Sequence, residues 1–242
     1  ALESLIIEGV NKIGGQAIKG TVFRFDCSMD GVSVSVDEAV QGIANFDGLG
    51  SAFVDVFTDD NAVSPTLVES CVNAWSGEEA KLLAASLLDL THQKAVAEKE
   101  ELDDPAVAED AAAERKDVEF KLKPLQEYAT GITFAPVLDE QLYLVGVGVR
   151  KKSIIKVYAV AMYSSATVLN AVSATTLGNA ARTFDSSSPV TSFILEMVYS
   201  VGAGKIASAI AESVKPRYSG SSSDISALES LIIEGVNKIG GQ

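Results

Sequence analysis

The sequence predicts an α+β domain in which a large antiparallel sheet is covered by helices. Three observations carry this. The stretch from Thr21 to Val36 alternates apolar and polar residues about a tight-turn signal, the pattern of a hairpin with one buried face. Three longer runs, Leu142–Arg150, Ile154–Ser165 and Val190–Val201, are rich in Val, Ile and Tyr and read as strands of a buried sheet. Blocks of helical pattern fall between these strand groups and at the end of the chain.

In chain order, "TVFRFDCSM" alternates, with Val22, Phe23, Phe25 and Cys27 apolar, and predicts a strand over Val22–Ser28. Asp30–Gly31 is a hairpin signal, and "VSVSV" (Val32–Val36) puts valine on one face and serine on the other. A second turn at Asp37–Glu38 leads into a short third strand in "AVQGIAN". "GLGSAFVDVFT" then sets Leu49, Phe53, Val56 and Phe57 on one helical face. Asn61–Pro65 is a break, with Ser64 as N-cap and Pro65 at the first helical position. Leu67, Val68, Cys71, Val72 and Trp75 form the buried stripe of the next helix, and "GEEAKLLAASLLDL" continues as another.

The segment Glu98–Asp110, "EKEELDDPAVAED", is acidic, lacks aromatics and contains Pro105, so it cannot bury enough apolar surface to fold alone. Residues 93–116 therefore read as a linker or an exposed, charge-laced helix, dividing the chain into residues 1–92 and 117–242. Past it, "ITFAPVL" is a strand. Leu142–Arg150 is nearly continuous in apolar residues, as expected of a strand buried on both faces. A helix is expected over about 166–184, a long strand over Val190–Val201, and a helix in "GKIASAIAESVKPRY" stopped by Pro216. Asp224 is expected to cap the final helix, whose Leu228, Leu231, Ile232 and Val236 share a face.

That final helix carries a duplication. "ALESLIIEGVNKIGGQ" occurs at Ala1–Gln16 and again, unchanged, at Ala227–Gln242. Identity at every position is not convergent packing, and the spacing is far too long for a solenoid repeat. Two readings account for it: one period plus overlap of a tandem array of near-identical domains, or an engineered circular permutant with a doubled helix. Both make the natural unit start near Lys116, run through the end and continue from Ala17 to about Gln93. Both copies of the apolar stripe should then be buried, one in its own fold and one against a neighbouring copy, giving head-to-tail self-association.

Composition narrows the function. A net charge of −14 and a pI near 4.5 argue against broad binding to nucleic acid or anionic membranes, and no apolar run is long enough to span a bilayer. Cys27 and Cys71 lack zinc-ligand spacing and read as small core hydrophobes. His92 is the sole histidine, so a multi-histidine metal site is excluded, and no cofactor is expected. "GVGVR" has Lys151 where a dinucleotide motif needs its third glycine. "GAGK" (Gly202–Lys205) is followed by Ile206 where a phosphate loop needs Ser or Thr. Both glycine clusters read as close-packing or strand-bend positions.

Joined through the repeat, the order "LYLVGVGVRKKSIIKVYAVAMYSS", "VTSFILEMVYSVGAGKIASAIAESVKPRYSG", "GTVFRFDCSMDGVSVSVDEAVQGIAN", "GSAFVDVFTDDNAVSPTLVESCVNAW" resembles the chalcone isomerase-like fold family, circularly permuted. The resemblance implies Arg150 at a strand end as the ligand-gripping cation. It places Tyr158 where the isomerases carry threonine, five residues before Tyr163, and a tyrosine there is similar to the non-catalytic fatty-acid-binding members. Two further polar positions of the isomerases fall on Ile206 and near Ser213. The implied site is therefore Arg150, Tyr158 and Tyr163 around a fatty acid or similar apolar carboxylate, with no catalytic residues, and the resemblance alone suggests a plastid location. Tyr158 and Tyr163 lie five apart on one strand and so face opposite sides, which favours Tyr158 as the partner of Arg150.

Three functions follow in order: a non-catalytic carrier with an acyl chain in a cleft between sheet and helices; a structural building block, with the cleft filled by Phe23, Met162, Phe193 and Met197; and an isomerase. An elongated apolar void ending at Arg150 supports the first, and a solid core the second.

Overall fold

A computed structural model describes residues 15–100, 122–139, 142–173, 175–183 and 191–239, and the side chains of 93–100 lie outside that description. In the described residues the strands are β1 (Gln16–Ala17), β2 (Val22–Ser28), β3 (Gly31–Val36), β4 (Ala39–Ala44), β5 (Leu125–Glu127), β6 (Ile132–Phe134), β7 (Val137–Leu138), β8 (Leu142–Lys152), β9 (Ile155–Ser164), β10 (Thr191–Met197) and β11 (Val201–Gly202). The α-helices are α1 (Leu49–Thr58), α2 (Pro65–Trp75), α3 (Glu78–Glu100), α4 (Ala166–Ala171), α5 (Leu177–Ala181), α6 (Ala203–Val214) and α7 (Ser222–Ile239). The fold is α+β.

Seven strands form one antiparallel sheet in the order β4-β3-β2-β10-β9-β8-β7. Its centre joins the two ends of the chain. Phe193 of β10 lies opposite Phe25 of β2 on one side and Met162 of β9 on the other. The residues before and after the acidic segment thus share one sheet and one core. Asp37 and Glu38 both take left-handed backbone angles, φ 46° and 68°, which suits the tight β3–β4 turn expected at that dipeptide.

The larger apolar layer lies between one sheet face and the helices, and holds Phe23, Phe25, Phe53, Phe57 and Phe193. Phe57 stacks on Phe193 at 4.5 Å between centroids, and Phe53 lies 4.7 Å from Phe25. A smaller layer on the opposite face contains Phe134, Leu144, Val147 and Tyr163, with Leu125 and Ile132 of the β5–β6 hairpin packed against it.

β8 runs beside β9 for its whole length but meets β7 only at Leu142 and Tyr143, so among the described residues much of its far edge has no strand partner. α2 occupies that edge. Thr66 Oγ1 accepts the Val149 N–H and Ser70 Oγ accepts the Val147 N–H, each at 3.1 Å. Ser64 Oγ donates to the Val149 carbonyl and Trp75 Nε1 to the Val145 carbonyl, again at 3.1 Å. The spacing works because four helical residues rise about 6 Å and two strand residues about 6.6 Å. Gly146 and Gly148 permit the approach: a Cβ on Gly148 would stand 2.5 Å from the Leu67 amide nitrogen, and one on Gly146 would stand 2.6 Å from that of Cys71.

α7 packs against α6, β3 and β4. Leu228, Ile232 and Val236 are fully buried, each worth roughly 1.5–3 kcal/mol. Its start is a capping box: Ser221 Oγ accepts the Ser223 N–H, and Asp224 Oδ2 accepts the Ser221 N–H. Ser221 is therefore the cap, and Asp224, expected in that role, is its reciprocal partner.

Three other expectations are corrected. "ITFAPVL" is two short strands, because Pro136 interrupts it. The helix expected over 166–184 is two, α4 and α5, separated at Val172 by an extended backbone. The strand expected to reach Val201 ends at Met197, where the Val198 and Tyr199 N–H groups both turn onto the Val157 carbonyl. Ser64 precedes α2 as expected, but its hydroxyl serves β8 and makes no cap bond. Of the expected linker, the first part continues α3 to Glu100, and residues 101–116 lie outside the described residues, as does the first copy of the repeat through residue 14.

Candidate functional site

Arg150 sits where β8 leaves the core, directly opposite Tyr158 of β9 in the antiparallel register. Cross-strand partners share a face, and this one looks toward the helices. The Arg150 Nη1 donates to Ser213 Oγ of α6 at 3.2 Å, and Ser213 Oγ donates to the Ala209 carbonyl at 2.7 Å. Tyr158 is 1% exposed. Burial pushes its phenol up, against the opposing pull of the neighbouring guanidinium. The phenol therefore stays neutral, and the charge at this strand end belongs to Arg150.

Tyr163, the third residue of the expected site, is on the other face of the sheet. Its hydroxyl donates to the Ala135 carbonyl at 2.8 Å, and its ring belongs to the smaller apolar layer. Burial pushes its phenol well up. The five-residue spacing that made the two tyrosines face apart holds, so Tyr163 shares no site with Arg150.

The helix-facing layer that contains Tyr158 is packed. Phe23, Met162, Phe193 and Met197 have no exposed surface, and Met197 is the β10 partner of Tyr158. Ile206 is buried in the same layer. The Arg150–Tyr158 pair and the apolar layer are thus adjacent, and the positions in that layer are occupied by side chains.

Features beyond the expected site surround Ser213. Arg217 donates through Nη1 to the Ser213 carbonyl at 2.7 Å and forms a two-pronged ion pair with Asp59, at 2.7 and 2.8 Å. The Asp59 carboxyl is held below the usual carboxylate range by Arg217. Beside it opens a groove of about 420 Å³ between the end of α1 and the outer side of α2. Val68 and Val72 line it with Asp59, Asp60 and Glu69. Its acidic wall suits no carboxylate ligand. Nothing in the residue spacing announces the Arg217–Asp59 pair, because its members are 158 positions apart; the tandem Asp59–Asp60 after a helix was the one local signal.

Among the described residues no group of His, Cys, Asp and Glu side chains is arranged to hold a metal ion, and no helix is long and apolar enough to cross a membrane. Compared with known protein families, curated proteins and solved structures, the chain matches none.

Proposed function

We propose that the chain is a structural building block: a permuted, non-catalytic relative of the chalcone isomerase-like fold whose ligand cleft is filled by its own side chains. The observation that carries this reading is the complete burial of Phe23, Met162, Phe193 and Met197 in the helix-facing layer that also holds Tyr158, with Met197 as its direct cross-strand partner. A water-sized void touching these side chains would leave them accessible surface, and they have none. The building block joins its neighbours head to tail, with one copy of the repeated helix spanning each junction. A heterologous contact of this kind does not close on itself and gives an open-ended assembly.

A second reading, the fatty-acid carrier, is favoured by the Arg150–Tyr158 pair and its bond to Ser213. A half-buried guanidinium at a strand end suits a carboxylate bidentately. Native mass spectrometry of the protein as extracted decides between them. The building block predicts the bare chain mass and a ladder of oligomers growing with concentration. A stoichiometric acyl adduct, lost in Arg150→Ala, would overturn it in favour of the carrier.

A further inference from the structure

The β8–β9 hairpin ends in a tip of unusual composition. "RKKSIIK" (Arg150–Lys156) holds four cations and no acid, in a chain of net charge −14. Lys152 pairs with Ile155, so only Ser153 and Ile154 make the turn, and Ser153 takes a left-handed φ of 57°. Turns this short ordinarily hold Gly, Asn or Asp. Here Ile154 is 92% exposed and Ile155 47%. Lys156 Nζ donates to the Ala129 carbonyl of the β5–β6 turn, next to Tyr128, which is also 92% exposed. Lys151 and Lys152 are exposed, and neither forms an ion pair with a described residue. A single exposed apolar side chain needs no explanation, but a cluster rimmed by polar groups marks an interaction surface.

The same chain carries a surface of the opposite kind. The groove beside α2 is lined by Val68 and Val72 together with Asp59, Asp60 and Glu69. Arg217 engages Asp59, whereas Asp60 and Glu69 are exposed and have no ion-pair or hydrogen-bond partner among the described residues. Its volume of about 420 Å³ lies in the range of pockets that enclose a small ligand, so an isoleucine side chain fits. The chain's own tip cannot fill it. The bonds from α2 to β8 run from Val149 at the helix start to Val145 at its end, so helix and groove extend back along the strand. The tip runs the other way, at about 3.3 Å per residue beyond Val149.

We propose that the β8–β9 tip of one copy docks in the α2 groove of a second copy, with Ile154 entering beside Val68 and Val72 and with Lys151 and Lys152 facing Asp60 and Glu69. Charge complementarity selects this occupant. A basic, apolar point also suits an anionic bilayer, but the remainder of this chain is more acidic than its net charge of −14 and is repelled there. The acidic groove instead attracts the tip, and its valines give the isoleucine an apolar seat. The contact joins two different patches, so every copy offers one tip and one groove. It is separate from the junction through the repeated helix. The inference deepens the building-block reading and rests on it for the association of copies.

Sedimentation velocity of the full chain over a range of concentrations tests it. Self-association of the parent weakens at about 1 M salt, where charges are screened beyond about 3 Å. Lys151→Glu/Lys152→Glu and Asp60→Lys/Glu69→Lys each weaken it by roughly tenfold or more, because like charges then face each other. Their melting temperatures stay near the parent's, since all four side chains are exposed. An equimolar mixture of the two variants associates again, because each reversed tip now meets a reversed groove, a rescue that misfolding cannot produce. Variants that associate like the parent, or a mixture that stays apart, would overturn the proposal and leave the building-block reading standing. A parent that is monomeric at every concentration would overturn both. A monomeric parent carried down by phosphatidylserine vesicles, and released by Lys151→Glu/Lys152→Glu, would overturn the proposal by assigning the tip to a membrane.

Discussion

The Ser64 hydroxyl donates to the Val149 carbonyl at 3.1 Å from a position with no exposed surface. It heads a row of side-chain bonds from one face of α2 along the edge of β8 that has no strand partner among the described residues. An open strand edge is a template for pairing with other chains, and covering it with a helix is one way to blunt it. Here the helix also supplies the hydrogen bonds. Ser64→Ala leaves a buried carbonyl without that donor and is expected to cost about 1–3 kcal/mol. Thr66→Val, at a more exposed bond, is expected to cost about 1 kcal/mol. Urea unfolding at neutral pH measures both, and equal stability in all three proteins would show that the row contributes nothing.

Gly148 makes the same contact possible from the strand side. A methyl group there would collide with the Leu67 amide nitrogen at 2.5 Å and with Ser64 Oγ at 2.6 Å. Backbone cannot yield as a flexible side chain can, so Gly148→Ala should destabilise by about 1–3 kcal/mol through overpacking. Gly204→Ala is the control, because nothing lies within 4 Å of its added Cβ. Thermal melts that rank the two variants the other way would contradict the close approach of α2 and β8.

The Asp59–Arg217 pair gives the protein a defined acid limb. The aspartate's folded-state pKa lies below its ordinary value of 3.8, chiefly because of the hydrogen bonds from Arg217. A lowered folded pKa stabilises the protein above the unfolded value, and that contribution is lost as pH falls through the folded one. The pair is partly exposed, so it is worth at most about 1 kcal/mol at neutral pH. Asp59→Asn should therefore be less stable than the parent at pH 7, with the difference shrinking below about pH 4. A difference that grows on acidification would have the wrong sign.

Cys27 and Cys71 are buried, and burial raises both thiols, Cys27 with a further push from the neighbouring Asp26 carboxylate. Reaction with a thiol reagent at pH 8 is expected to be negligible in the native protein and to reach two groups per chain in denaturant. A fast native reaction at either cysteine would place it outside the core.

Much of this was legible in the sequence, for reasons that differ by element. "VSVSV" declares a strand because one face meets valine-sized space and the other does not, and the Asp37–Glu38 turn follows from its two left-handed residues. The opposed faces of Tyr158 and Tyr163 follow from strand geometry alone. At Val172 the chain leaves the helix after a local bond to the Leu169 carbonyl, whereas the break after Met197 left no period to read, since it is decided by backbone bonds to the distant Val157 carbonyl. The α2–β8 row was illegible for the same reason: Thr66 and Ser70 look like solvent-facing helix residues until a strand edge is placed beside them. The site was half legible. Arg150 and Tyr158 come together as cross-strand partners, whereas the pairing of Met197 with Tyr158 and of Phe193 with Met162 depends on the sheet register, which no local pattern encodes.

The central claim is that the residues on either side of the acidic segment make one fold, joined through β2 and β10. Cleavage of the intact protein within Glu98–Asp110 by a glutamate-specific protease, under native conditions, tests it most directly. The account predicts that the two fragments co-elute at the mass of the whole chain and unfold in a single transition, with the emission of Trp75 changing at the same midpoint as the far-ultraviolet circular dichroism. Fragments that separate without denaturant and each retain a cooperative transition of their own would contradict it.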